Sequence, residues 1–282
     1  MPLPLSELFP DEDYRFHLTL RKGDLPKFFA PADPAALTER RDWLKRESFR
    51  YAAATAGAKP LLNEFEAMAT EWLPGPVPYV DADFTGVGRL VALGQNLEPD
   101  FMLLARDEAG VFRLQAGVVC FPSSWALTEK MGLTLEEIHG VVPGLNPSLA
   151  SPISQFLGKL KPDAPYERAN WGVAATPELN MHPALSRQRL TGPFDPQRIW
   201  LRIEDQILAA LPQTNGILFG IRIRIFSLLE LINNSMLRAG FCRALSSMPD
   251  ALAAYKGFDL IRSQLIAFLA RTATDGTKCT DA

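Results

Sequence analysis

The 282-residue chain carries 29 lysines and arginines against 32 aspartates and glutamates, a formal net charge of −3. This balance excludes a nucleic-acid-binding protein that works through bulk positive charge. Hydrophobic residues make up 47% of the chain and charged residues 22%, which excludes wholesale disorder. The three cysteines lie far apart without a CxxC pair, so the sequence predicts neither a disulfide framework nor a cysteine zinc site.

The N-terminal segment MPLPLSELFPDEDYR has neither the basic start nor the continuous apolar core of a secretory signal. No apolar run approaches the roughly 18 residues that span a bilayer. We therefore expect a cytoplasmic protein that binds neither a membrane nor nucleic acid.

Two helices are predicted near the N-terminus. Residues 33–54 have the charged pattern of a surface helix, with Asp33 as the N-cap and Pro34 in the first turn. A second helix is predicted over Leu61–Leu73, where the closely spaced prolines of WLPGPVPYV end it. A short strand is predicted near Tyr14–Leu20. The two helices are expected to form a cap on the segment that follows.

Strands dominate the middle of the chain. The apolar runs Phe101–Asp107 and Val111–Phe121 predict an antiparallel hairpin. A third strand is predicted near Tyr166–Ala174, and the strongest pair is Ile199–Leu208 with Gly216–Phe226. Because hairpin-type connections join most of these strands, the predicted fold class is α+β, built on an antiparallel sheet of about five strands.

The predicted organisation is one domain over residues 1–282. It consists of an N-terminal helical cap (1–75), a sheet core (76–226) and C-terminal helices (227–282). Within the core, a helix near 148–160 precedes the third strand. No internal repeat or low-complexity linker divides the chain.

The last two predicted strands carry charged side chains in alternation. Arg222 and Arg224 point one way on the second strand, and Arg202 and Glu204 share one side of the first. We expect a hairpin that combines all four in one polar layer. Two interpretations stay open: a solvated face with cross-strand ion pairs, or arginines that reach a bound anionic group. Gly220 in mid-strand favours the second, because it permits close approach by another group.

Several catalytic patterns are absent from the sequence, including GxSxG, HExxH, the phosphate-binding loop and the EF-hand. The segment Gly86-Val87-Gly88 lacks the third glycine of a dinucleotide fingerprint and is interpreted as a loop or helix start. Histidine occurs three times, at positions 17, 139 and 182, without the spacing of a histidine-rich metal site. The sequence therefore predicts no non-haem metal centre of that kind.

His139 is the best placed of the three histidines. Thr134 and Glu137 have the spacing of a capping box, which predicts a short helix that ends at His139 before Gly140. A histidine displayed at a helix end beside apolar residues can be an axial ligand of haem, since haem brings its own equatorial ligands. It can also be a cation favoured at a helix C-terminus. The residues alone leave both interpretations open.

A longer pattern surrounds this histidine. Residues 120–146, CFPSSWALTEKMGLTLEEIHGVVPGLN, resemble a family signature in which Cys-Phe-Pro-Ser-x-Trp leads through Lys-x-Gly to Ile-His-x-x-Val-Pro-Gly-Leu. The match continues at YRFHLTLR (14–21), ERANWGV (167–173), WLRIEDQILAALPQTNGILFGIRIRI (200–225) and MPDALAAYKG (248–257). The family is that of the haem-dependent oxidative N-demethylases and their haem-binding subunit-like relatives.

The resemblance implies haem b in a PAS-like α+β fold whose flanking helices form the pocket. It implies oxidative demethylation of a small secondary amine such as dimethylamine, with O₂, to a primary amine and formaldehyde. The electrons would come from NADPH through a separate reductase subunit with flavin and iron–sulfur groups, which implies a hetero-oligomer. A haem-binding PAS-like sensor and a non-catalytic scaffold subunit are the alternatives.

The histidine of the signature falls on His139, which the resemblance makes the iron ligand. The candidates to pair with the haem propionates are Arg222 and Arg224, or Arg168, because arginine binds carboxylates in a bidentate manner. Glu204 and Arg222 are the candidate catalytic residues. Glu204 would orient a protonated amine or relay protons, and the alternative is a salt bridge from Glu204 to a neighbouring arginine.

The chain departs from the signature at two points. Gly140-Val141 stands where Ala-Pro is expected, and Arg224 adds a second arginine to its strand. Neither change removes the predicted haem site. Cys120 has no cation nearby in sequence and apolar surroundings, so it is expected to be a buried, inert thiol rather than an iron ligand.

Overall fold

Seven antiparallel strands form one sheet in the computed structural model, which describes residues 3–16, 19–73 and 86–275. In chain order they are β1 (Arg21–Lys22), β2 (Ala52–Ala54), β3 (Asp100–Arg106), β4 (Phe112–Val118), β5 (Tyr166–Ala174), β6 (Trp200–Ala210) and β7 (Ile217–Ser227). Their order across the sheet is β1-β5-β6-β7-β3-β4-β2. The predicted α+β class with an antiparallel sheet is confirmed.

Helices of the described residues flank this sheet. They are α1 (Leu5–Leu8), α2 (Leu25–Phe29), α3 (Pro34–Tyr51), α4 (Lys59–Trp72), α5 (Val87–Gly94), α6 (Leu135–His139), α7 (Leu145–Lys159), α8 (Leu228–Ile232), α9 (Ser235–Ser247), α10 (Asp250–Tyr255) and α11 (Arg262–Asp275). None of those described combines the length and hydropathy that a bilayer-spanning helix requires.

The sheet is larger than the predicted five strands because two short strands extend its edges. β1 pairs with β5, and β2 pairs with β4. Both come from the first 75 residues, so the segment predicted as a helical cap also contributes to the sheet. The predicted strand near Tyr14–Leu20 falls partly on residues outside the described ranges, and the described strand begins at Arg21.

α3 confirms the predicted helix start. The Asp33 side chain accepts hydrogen bonds from the backbone N–H groups of Ala35 and Ala36, as an N-cap does. The helix is three residues shorter than predicted, since the chain continues as β2 from Ala52, which pairs with Val118.

The sheet has two faces, which we call front and back. Directly paired residues share a face, so the pairing register assigns each side chain. On the back, α8–α11 cover an apolar cluster around Trp171 and Ile203, and α2–α5 cover another around Phe101. On the front, α6 and α7 pack over smaller clusters that include Met102 and Leu104.

The prediction that one polar layer holds all the arginines of β6 and β7 is wrong. The register places Arg222 opposite Asp205 and Arg224 opposite Ile203, both on the back face. Arg202 and Glu204 oppose isoleucines of β7 on the front face. Alternation within each strand was predicted correctly, but the pattern does not determine register, and a shift by one residue exchanges the faces.

Gly220 does permit a close approach, although not by a ligand. A Cβ atom at this position would lie 2.8 Å from Ile207 Cγ2, 2.9 Å from Phe29 Cζ and 3.0 Å from Phe28 Cε1. The space that glycine leaves is therefore filled by the two phenylalanines of α2, which packs on the back of the sheet.

Candidate active site

α6 presents His139 toward the front face of the sheet. The predicted capping box is present: Thr134 Oγ1 accepts from the Glu137 N–H, and the Glu137 carboxylate accepts from the Thr134 N–H. Leu135, Ile138 and His139 occupy positions i, i+3 and i+4, one side of the helix. Ile138 and Leu135 pack against the front-face clusters. The helix therefore holds the imidazole over the same face.

The imidazole of His139 is partly buried, and its environment favours the neutral form. Burial lowers its pKa from the ordinary 6.5, and the positive charge of Arg168 lowers it further. Neither ring nitrogen forms a hydrogen bond with a described residue. A neutral, unpaired imidazole has the properties of a metal ligand, whereas a helix-capping cation would be charged.

Arg168 lies on the front face of β5, opposite Gln206. Its Nε atom is buried without a hydrogen-bond partner among the described residues. Burial lowers the pKa of the guanidinium, and the charge of Glu204 opposes that shift in part. A buried donor without a partner is costly, so this Nε is suited to donate to an anionic group.

Space for such a group lies beside these residues. A Cβ atom at Gly172, on the front of β5 opposite Arg202, would meet no atom within 4 Å. The nearby front-face core carries partly buried apolar side chains, namely Trp125, Met131, Ile138 and Ile223. The front face therefore combines open space at Gly172 with apolar side chains, a histidine and an arginine Nε that lacks a partner among the described residues. This chemistry suits a flat, apolar cofactor with an acidic edge, such as haem.

Glu204 projects from β6 into the same region. Its Oε1 accepts a hydrogen bond from Ser123 Oγ at 2.6 Å, and its Oε2 accepts from Gln206 Nε2 at 3.0 Å and Asn170 Nδ2 at 3.4 Å. No described lysine, arginine or histidine forms an ion pair with Glu204 within 4.0 Å. The predicted alternative, a direct salt bridge to a neighbouring arginine, is therefore not found, and neutral donors hold the carboxylate instead.

Arg202 fastens two loops to the front of the sheet. Its NH2 atom donates to the backbone carbonyls of Phe121 at 2.7 Å and Leu179 at 2.8 Å, and its Nε donates to Ser123 Oγ at 2.9 Å. Burial lowers the pKa of the guanidinium to about 10 even though Glu204 acts against the shift. Carbonyl oxygens thus accept most of the hydrogen bonds that Arg202 donates. The sequence alone grouped this arginine with Arg222 and Arg224.

Lys256 and Tyr14 complete the surroundings and were not predicted as site residues. Lys256 Nζ donates to the Trp171 carbonyl at 2.5 Å, and burial lowers its pKa to about 8, with a smaller lowering from Arg168 that Glu204 opposes. Burial raises the pKa of Tyr14 to about 12, although Arg168 acts against the rise. Tyr14 and Lys256 lie in two of the segments that carry the family resemblance. That resemblance was the sequence signal that could have identified them as site residues.

Arg222 and Arg224 lie on the opposite face. Arg222 forms an ion pair with Glu98 and donates to the Phe28 and Ala30 carbonyls at 2.5 and 2.8 Å. Arg224 forms a bidentate pair with Asp205 at 2.5 and 2.9 Å. The structure thus brings His139, Arg168 and Glu204 together without these two. That they bind propionates, and that Arg222 is catalytic, stay predictions that the geometry does not favour.

The remaining candidate ligands have structural roles. Cys120 is fully buried, as predicted, and burial raises the pKa of its thiol to about 12. His182 Nδ1 accepts from the Ala184 N–H at 3.2 Å, and its ring packs edge-on against Tyr51. Within the described ranges, no group of three histidine, cysteine or acidic side chains could hold a metal ion.

Fold and site together define an α+β protein in which one histidine lies over the front face of an antiparallel sheet, near Arg168 and Glu204. The profile of one family, described as haem-dependent oxidative N-demethylase, alpha subunit-like, matches residues 77–266. This range is more than half of the chain and includes His139, Arg168 and Glu204. The chain belongs to this family, and the resemblance inferred from its sequence is confirmed.

Proposed function

We propose that this chain binds haem b through His139 and demethylates a small secondary amine such as dimethylamine. The observation that carries the proposal is the part-buried imidazole of His139 near the buried Nε of Arg168, neither of which has a hydrogen-bond partner among the described residues. Five long strands with helices over the front face also support a PAS-like chamber within one domain.

Different residues of the front face would contact different parts of the cofactor. His139 would bind the iron, and Arg168 would donate to a propionate, which supplies the anion that its Nε lacks. When bound, haem supplies oxygen activation at its iron. The partly buried side chains of Trp125, Met131, Ile138 and Ile223 would exclude water around it.

Glu204 would orient the substrate. Three neutral donors hold its carboxylate and leave its negative charge without a direct ion pair. A dimethylammonium ion is a small cation that donates hydrogen bonds, and a held carboxylate suits it better than a mobile one because less side-chain entropy is lost on binding. The same carboxylate could take the ammonium proton before the methyl group is oxidised.

The reaction consumes one O₂, two electrons and two protons with dimethylamine, and yields methylamine, formaldehyde and one water. We propose that a cytoplasmic reductase subunit with flavin and iron–sulfur groups supplies the electrons from NADPH and forms a hetero-oligomer with this chain. The words alpha subunit in the family description support an assembly of more than one chain.

The test is formaldehyde release by the haem-loaded protein with dimethylamine, O₂ and a surrogate NADPH-dependent flavin reductase. We expect formaldehyde and methylamine in equal amounts, and loss of both with Glu204→Gln at unchanged haem content. Haem-loaded protein that binds the amine but releases no formaldehyde would contradict the catalytic proposal and favour a sensor. Haem-loaded protein with no response to the amine would also contradict it.

A further inference from the structure

Ser123 separates the two opposite charges on β6. Arg202 and Glu204 are two residues apart on the same face of that strand, so their long side chains lie side by side. The Ser123 hydroxyl lies between them instead, 2.9 Å from Arg202 Nε and 2.6 Å from Glu204 Oε1. The other hydrogen bonds of Arg202 go to backbone carbonyls.

The direction of these hydrogen bonds is fixed by chemistry. Arg202 Nε carries one hydrogen and accepts none, so it donates to Ser123 Oγ. The Ser123 hydroxyl therefore donates to Oε1 of Glu204, while Gln206 and Asn170 donate to Oε2.

The loop that carries Ser123 is built to hold it there. Arg202 also donates to the Phe121 carbonyl at 2.7 Å, which fastens the loop to the sheet two residues earlier. Ser124 has a φ of +65°, in the left-handed region that non-glycine residues adopt at an energetic cost. Such a strained conformation persists only where the surrounding contacts determine it. The contacts of this loop therefore fix the position of Ser123.

We propose that Ser123 is a positioning residue that keeps Arg202 from pairing directly with Glu204 and so leaves the carboxylate charge to a small cationic ligand. The proposal rests on the function proposed above, in which Glu204 receives dimethylammonium. Without the hydroxyl, Nε and Oε1 would both lose a partner and a direct ion pair would satisfy both atoms. That pair would neutralise the group that the cation needs.

The test compares Ser123→Ala with Ser123→Thr, which restores a hydroxyl, and with Ser124→Gly, which keeps the neighbouring turn because glycine adopts positive φ. Each haem-loaded variant is titrated with dimethylammonium chloride and followed by calorimetry and by the Soret band. Carbon monoxide binding to the reduced protein provides a neutral ligand, and haem content and the melting temperature report folding.

We expect Ser123→Ala to weaken dimethylammonium binding about tenfold or more, as for a lost hydrogen bond to a charged group, at unchanged carbon monoxide affinity and haem content. Ser123→Thr should recover most of the affinity, and Ser124→Gly should match the wild type. Equal dimethylammonium affinity in Ser123→Ala and wild type would overturn the proposal, as would equal losses for the cation and carbon monoxide. A wild type with no dimethylammonium response would overturn the proposed function itself.

Discussion

At the scale of single residues, the arginines of the candidate site differ from those that stabilise the fold. Arg224 pairs in a bidentate manner with Asp205 and also donates to the Leu3 carbonyl at 3.0 Å, so its charge is satisfied inside the fold. Arg168 is half-buried, and its buried Nε has no hydrogen-bond partner in the part of the chain that the structure describes. A guanidinium with a buried donor that lacks a partner adds little to the stability of the fold. We therefore expect Arg168 to serve in binding a ligand.

This contrast predicts opposite effects of two like substitutions. Arg168→Gln should weaken haem binding at least tenfold, since a charged hydrogen bond to a propionate is lost, and it should hardly change the stability of the haem-free protein. Arg224→Gln should destabilise the fold by about 3 kcal/mol because Asp205 is left unpaired, at unchanged haem affinity. Haem titration and urea unfolding of both variants provide the measurements, and the reverse assignment would show that Arg224 binds the propionate.

At the scale of elements, α6 is a short helix whose cap determines where His139 lies. Five residues are too few for a helix to be stable without its caps and its packing. The Thr134–Glu137 box supplies the cap, and Leu135 and Ile138 supply the packing. Another five-residue helix, α8, begins with the same kind of box at Ser227 and lies away from the front-face site.

These matched helices provide a prediction with an internal control. Thr134→Ala should cost about 1 kcal/mol of stability and weaken haem binding about fivefold, because haem would have to order the helix that carries its ligand. Ser227→Ala should cost a similar amount of stability and leave haem affinity unchanged. Thermal unfolding and haem titration measure the two effects. Equal haem affinities for the two variants would contradict the role given to α6.

Local patterns made the helix starts predictable from the sequence. The pairing register of the strands was not predictable in this way. The capping box at Thr134 and the N-cap at Asp33 are contacts between near neighbours, and both were predicted correctly. The register of β6 and β7 depends on the whole sheet, so the faces of Arg222 and Arg224 were grouped wrongly with Glu204. Ser123 lies in the Cys-Phe-Pro-Ser-x-Trp segment of the resemblance, but its role could not be predicted, because its partners lie about 80 residues away.

At the scale of the whole molecule, the two faces of one sheet have different tasks. The back face has the larger apolar clusters and the satisfied arginines, and these stabilise the fold. The front face carries His139, Arg168 and Glu204 beside open space at Gly172. The order of seven strands brings residues from distant segments to this face, which is why composition and spacing alone indicated the histidine and not its surroundings.

We propose that His139 holds haem over the front face of the sheet. The most direct measurement is the absorption spectrum and haem-to-protein ratio of wild type and His139→Ala, both expressed with ample haem. The spectra are recorded before reduction and again after reduction and addition of carbon monoxide. We predict an intense Soret band that shifts with carbon monoxide in the wild type, and a lost or altered band in the variant. A colourless wild type, or a variant with the same spectrum and full haem content, would contradict the account.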